Sequence, residues 1–238
     1  MSQVEWLEAI GMKLEEVPKK IILEGTWWHK TRYPVRLAYL EKVRELKFPD
    51  MYLGSFEGER VMFCCAYGAS RAVEPVHIFA MLGSTKVIQI GSCGSLQENV
   101  QTGDVVIPTI SIIGEGASRY YGQEEKATST NSLAMDAKVA LSKLAIKAHL
   151  GSHISTSSLL QQSDEMIHDW RNRNLLGVDM ETSAVFSAAE KFRMERVSML
   201  FVWDELLKGR TWLHEFTETE KARQDFANQA IYEVALKL

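Results

Sequence analysis

The chain has 238 residues and a mass of 27.0 kDa, with 46% hydrophobic, 24% charged and 9% aromatic side chains, proportions that exclude disordered, collagen-like and low-complexity classes. Lys plus Arg number 27 and Asp plus Glu 31, so the formal charge is −4 and no basic field draws nucleic acid or an anionic membrane. Surface scaling at this mass gives roughly 10,800 Å² folded and 39,000 Å² extended, enough burial for one α/β domain over residues 1–238.

The N-terminal MSQVEWLEAIGMKLEEV is acidic early and lacks a signal-peptide core, and no apolar run approaches the roughly 20 residues of a membrane span. A cytoplasmic protein is expected. Residues 21–23 form the first short apolar run, followed by a helical pattern over 34–47 with Val35, Leu37, Leu40, Val43 and Leu46 in phase. A strand over 61–67 contains Cys64 and Cys65, whose side chains should point to opposite faces. With Cys93 they make an odd, unspaced set, read as reduced apolar fillers and not as metal ligands.

Further strands are expected at 87–90, 105–113, 153–157 and 196–202. Helical patterns lie at 131–149, with Asn131 as cap and Gly151 beyond its end, and at 163–174 and 181–192. The last helix opens on a capping box, Thr217 to Glu220, and aligns Phe226, Ala230, Ile231 and Val234 on one face. Alternating strands and helices imply an α/β fold, a single domain with a mixed, largely parallel central sheet and helices on both sides. Ligands in such sheets sit beyond the strands' C-terminal ends, here after Ile90, Ser157 and Val202.

Three stretches at those places carry polar groups suited to chemistry. In Ile90-Gly91-Ser92-Cys93-Gly94 the two glycines permit positive φ, and the Ser92 hydroxyl beside backbone N–H groups suits an oxyanion; a tight strand-to-helix turn without ligand reads the same way. In Gly177-Val178-Asp179-Met180-Glu181-Thr182 a carboxylate pair brackets a thioether. Carboxylates accept from a vicinal diol and a thioether offers an apolar platform, though an acid at a helix start also compensates the dipole. In Leu200-Phe201-Val202-Trp203-Asp204 an acid follows an apolar strand, where low dielectric would raise its pKa for proton transfer; a solvated loop acid is the alternative.

In this order the three stretches resemble the nucleoside phosphorylase-I family, the purine nucleoside and uridine phosphorylases and their nucleosidase relatives, most closely the bacterial hexameric purine enzymes. Further resemblance comes from Gly103-Asp104-Val105-Val106-Ile107 and Glu115-Gly116-Ala117-Ser118. The resemblance spans roughly residues 50 to 238 and implies a phosphorylase/hydrolase-like three-layer sandwich. It implies ribose binding by Asp179, Met180 and Glu181, with Glu181 taking the 2′- and 3′-hydroxyls. Cys93, Gly94, Leu159 and Val178 would border the base, with Leu159 or Leu160 where an aromatic residue usually stacks. Asp204, helped by Arg223, would protonate or hydrogen-bond the base at N7, which favours purines. Ser92 would contact phosphate, the co-substrate; no other cofactor and no metal are implied. A homo-oligomer, from dimer to hexamer, is implied, with Trp27, Trp28, Tyr33, Tyr120 and Tyr121 as candidates for an apolar interface.

Departures concentrate at the anion end. Gln89 stands where the family's phosphorylases carry an arginine, removing a charge-assisted contact of about 1.5–3 kcal/mol. The phosphate loop reads Glu24-Gly25-Thr26-Trp27-Trp28, leaving Gly25, Arg36, Arg44 and Arg71 as candidate phosphate contacts. Trp203 replaces a serine. A purine-type phosphorylase is the leading expectation. The alternatives are a phosphate-independent nucleosidase using Glu24 to activate water, a uridine phosphorylase, and a non-catalytic nucleoside-binding relative.

Overall fold

A computed structural model describes residues 1–211 and 213–238. The strands are β1 (Lys20–Gly25), β2 (Glu41–Glu45), β3 (Met51–Phe56), β4 (Glu59–Cys65), β5 (Lys86–Ser95), β6 (Val105–Gly114), β7 (Lys126–Thr128), β8 (Ala148–Thr156), β9 (Gly177–Asp179) and β10 (Glu195–Glu205). The helices are α1 (Gln3–Ile10), α2 (His29–Leu37), α3 (Ala69–Leu82), α4 (Asn131–Lys143), α5 (Asp164–Asn172), α6 (Thr182–Lys191) and α7 (Glu218–Lys237). No helix among the described residues is long and apolar enough to cross a membrane.

The strands form one mixed sheet in the order β10-β6-β8-β9-β5-β1-β4-β3-β2, and β10 also pairs with β5. That second pairing closes β5, β9, β8, β6 and β10 into a ring, while β1, β4, β3 and β2 extend from it as an open wing. Both faces are covered. Ile21, Leu23, Met62 and Cys64 pack with α1, α3 and α6, whereas Ile22, Phe63 and Cys65 pack with α2, α4 and α7. Residues of alternating parity thus feed opposite cores, as the pleat requires. Cys64 and Cys65 face opposite layers, and all three thiols are free and buried.

Several sequence expectations need correction. Residues 34–47 are not one helix: α2 begins earlier at His29 and ends at Leu37, and 41–45 form the edge strand β2, paired antiparallel with β3. Ladder pairing outweighs the helical spacing there, and a strongly charged sequence suits an exposed edge. The pattern over 131–149 stops at Lys143, with Ala145 turning the chain at φ 59°, and β8 takes up 148–156. Thr130, not Asn131, occupies the cap position.

Gly151 lies inside β8, where a Cβ would come within 2.8 Å of the Leu176 side chain. On α7 the buried face is Ala227, Ala230, Ile231 and Val234; Phe226 lies off that stripe and is 53% exposed. The periodicities also fail to predict α1, α3, β3 and β7.

Candidate active site

β5 does not turn at Gly91. It runs on to Ser95, with no helix after it, and neither Gly91 nor Gly94 has positive φ. Their small size is needed for close approach instead: a Cβ on Gly91 would lie 3.0 Å from the Gly25 carbonyl oxygen, and one on Gly94 2.8 Å from Leu206. The parallel pairings Gly25↔Gly91 and Asp204↔Gly94 bring three strand ends side by side. A register shift between Val202 and Asp204 marks a bulge, a device that re-aims side chains at strand ends.

These ends floor a cavity of about 170 Å³, far above the roughly 10–15 Å³ that one water needs. Gly25 from β1 and Ser92, Cys93 and Gly94 from β5 line it. Val178, Asp179, Met180 and Glu181 line the second side, and Trp203 and Asp204 from β10 the third. Leu159 lines it as well, while Leu160 is 72% exposed. Ten of the residues expected from the sequence to contact base, ribose or phosphate (Gly25, Ser92, Cys93, Gly94, Leu159, Val178, Asp179, Met180, Glu181 and Asp204) therefore meet in one place.

Glu181 is buried and accepts a hydrogen bond from Gly68 N–H at 2.6 Å. Gly68 supplies that N–H from φ 84°, a left-handed conformation open to glycine, at the start of α3. Gly25 makes room on the other side, since a Cβ there would lie 2.6 Å from Glu181 Oε2. Burial, reinforced by the neighbouring Asp179 carboxylate, pushes the Glu181 pKa up to about 8.

Asp179 is differently placed. Its oxygens accept from Gln89 Nε2 at 3.0 Å, Ser155 Oγ at 2.6 Å, Thr182 Oγ1 at 2.6 Å and Thr182 N–H at 3.0 Å, with His153 Nε2 3.4 Å away. Four donors fill the lone pairs of a carboxylate, so Asp179 anchors the turn from β9 into α6. Gln89 lies wholly beneath the floor, its amide nitrogen committed to Asp179. Burial also raises the Cys93 thiol and lowers the His153 imidazole. Glu115 accepts from Ser118 and, at 2.9 Å, from Ser183 Oγ, fixing its loop against α6.

Four arginines singled out from the sequence lie outside the cavity. Arg36, fully buried, donates two hydrogen bonds to Glu24, at 2.8 and 3.0 Å, and one to Asn228 Oδ1 at 2.6 Å. Arg44 bonds Glu16 at 3.0 Å and the Gly11 carbonyl at 3.3 Å, on the far wing of the sheet. Arg71 pairs with Glu74 and donates to the Pro49 carbonyl at 3.1 Å, on the wall of a neighbouring groove. Arg223 lies 3.3 Å from Asp104, which also binds His149 at 2.9 Å.

Sequence reasoning missed Arg32, Tyr67 and Leu206, which also line the cavity. Trp27 and Tyr67 stack at its rim, 5.0 Å apart and 7° from parallel. Arg32 sits one helical turn before Arg36 on α2, an i, i+4 relation readable from sequence only once α2 is known to begin at His29.

The closed-ring α/β sheet thus sets buried carboxylates at its strand ends over a glycine-lined floor, the place where ligands bind in α/β sheets. The sequence pattern of the Phosphorylase superfamily matches residues 34–235, and the chain belongs to that family. It is 25% identical over 244 residues to a purine nucleoside phosphorylase DeoD-type of Thermoanaerobacter sp. (strain X514), covering 96% of this chain and 97% of the relative. A guanosine phosphorylase of Halorubrum lacusprofundi is 27% identical over 157 residues, 65% of each chain. In fold it is similar to uridine phosphorylase from Vibrio fischeri ES114, with TM-score 0.82 at 20% identity, covering 95% of this chain and 93% of that one.

Proposed function

We propose that this enzyme cleaves the N-glycosidic bond of a purine nucleoside with inorganic phosphate, releasing free base and ribose 1-phosphate. The observation that carries the reading is the meeting of Ser92, Met180, Glu181 and Asp204 in one cavity. Ribose rests on Met180 with its 2′- and 3′-hydroxyls donating to Glu181. Asp204 hydrogen-bonds or protonates the base at N7, so that the C1′–N9 electron pair leaves on a neutral purine. A phosphate oxygen beside Ser92 and Gly25 then forms the new bond to the oxocarbenium-like C1′. Cys93, Gly94, Leu159 and Val178 border the base.

The hydrolytic reading would need Glu24 as a free base, but its carboxylate is held by two hydrogen bonds from Arg36. Trp27, Trp28 and Tyr120, all more than half exposed near the site, suit the homo-oligomeric interface this reading expects. Nucleoside salvage in the cytoplasm is the setting.

The test is base release from purine and pyrimidine nucleosides with and without phosphate. Release that requires phosphate and yields ribose 1-phosphate is expected, and phosphate-independent release would point to the nucleosidase. Asp204→Asn should lower kcat about 10²–10⁴-fold with little change in nucleoside binding, because it removes a proton donor used at bond cleavage. Unchanged turnover would make Asp204 a bystander.

A further inference from the structure

The cavity lining holds four carboxylates, on Glu24, Asp179, Glu181 and Asp204, and among the described lining residues its cation is Arg32. A multiply charged anion entering such a place meets repulsion from each acid that is ionised unless a positive group receives it. Gln89 carries no charge and is committed to Asp179 beneath the floor. Arg44, Arg71 and Arg223 are spent elsewhere.

Arg36 by itself satisfies Glu24 with a two-point fork, and a third contact ties it to Asn228. Arg32 is therefore a second cation beside an acid that already has one. Its Nε lies 3.4 Å from Glu24 Oε1, and that nitrogen is buried without a hydrogen-bond acceptor among the described residues. Glu24 precedes Gly25, which pairs with Gly91, the neighbour of Ser92. Arg32 thus stands at the same end of the cavity as the serine hydroxyl.

Resting on the phosphorolytic reading, we infer that Arg32 is the binding residue for the phosphate oxyanion, doing from α2 what position 89 cannot do from β5. Glu24 and Arg36 orient it: Arg36 pins Glu24, and Glu24 steers the Arg32 guanidinium toward the floor without consuming its donors. Such a guanidinium offers a planar fork matched to phosphate oxygens, so lysine should replace it only in part.

The deciding experiment measures initial rates against phosphate at saturating nucleoside, then against nucleoside at saturating phosphate, for the full chain and for Arg32→Gln and Arg32→Lys. Expected are a rise in phosphate KM of about 10- to 100-fold for Arg32→Gln and several-fold for Arg32→Lys, with nucleoside KM within about threefold. Arsenate in place of phosphate should show the same pattern. Phosphate-dependent turnover with an unchanged phosphate KM in Arg32→Gln would overturn the assignment and leave Arg32 as a mere counter-ion of Glu24. Turnover of the unaltered enzyme without phosphate would instead overturn the phosphorolytic reading, and this assignment with it. If Arg32→Gln fails to fold, Arg32→Lys decides: an unchanged phosphate KM overturns the assignment, and a several-fold rise supports it.

Discussion

The carboxylates at 179 and 181 are two residues apart yet do different work, and their hydrogen bonds show why. Asp179 accepts from four protein donors, while Glu181 accepts from Gly68 and faces the cavity. Burial raises the Glu181 pKa first, and the fixed charge of Asp179 raises it further. An ionised Glu181 can accept from both hydroxyls of a ribose diol, whereas the neutral acid gives up one lone-pair site to its own proton. Nucleoside kcat/KM should therefore rise with pH as Glu181 ionises. Removing the neighbouring charge with Asp179→Asn should move that rise to lower pH by about one unit. It should also cost stability, because an amide cannot accept from all four donors. Both effects are read from a pH–rate profile beside a melting curve. A profile that stays in place while the melting point falls would show that burial alone tunes Glu181.

Among the elements, the two glycine contacts at the floor differ in what they press against. A Cβ at Gly25 would strike the Glu181 carboxylate, whereas one at Gly94 would strike the far end of the Leu206 side chain. Gly25→Ala should thus displace a group that must be held to a fraction of an ångström and reduce kcat/KM about 10- to 100-fold. In Gly94→Ala the leucine can rotate away, so a loss below about tenfold is expected; equal losses would contradict this distinction. Much of this was legible in advance. Strands β1, β4 and β10 are continuous apolar runs because they are buried on both faces. Asp204 is an acid at the end of such a run, while Met180 and Glu181 follow the short strand β9. What stayed hidden depends on contacts distant in sequence: the β10–β5 pairing that closes the ring, the β3 partner that makes 41–45 a strand, and the packing of α2 that aims Arg32 inward. Arg223 is the clearest case, since only the folded chain shows Asp104 holding it.

At the scale of the whole molecule, buried titratable groups make stability depend on pH in separate windows. Glu181 has its pKa raised from 4.5 to about 8 in the folded chain. Between those values the unfolded chain has lost this proton and the folded chain keeps it, so stability falls as pH rises. Below about 6.5 the buried His153, whose pKa is lowered, works in the opposite sense, because there the unfolded chain binds the extra proton. The window from pH 6.5 to 8 is therefore where the Glu181 effect stands most nearly alone. Above it, Lys20, lowered by burial to about 8, gives a rising contribution up to 10.5. The three thiols then oppose it, since burial raises each of them and only the unfolded chain ionises near pH 9. Each group contributes a slope of at most about 1.4 kcal/mol per pH unit. The expected profile declines from 6.5 to 8, flattens between 8 and 9, and declines again beyond. Chemical denaturation at half-unit steps measures it, provided the protein stays at one concentration, because assembly also shifts apparent stability. Glu181→Gln should abolish the first decline, and Lys20→Met should abolish the plateau. A first decline that survives Glu181→Gln would assign it to another group and remove the main thermodynamic sign that this carboxylate is held protonated in the resting site.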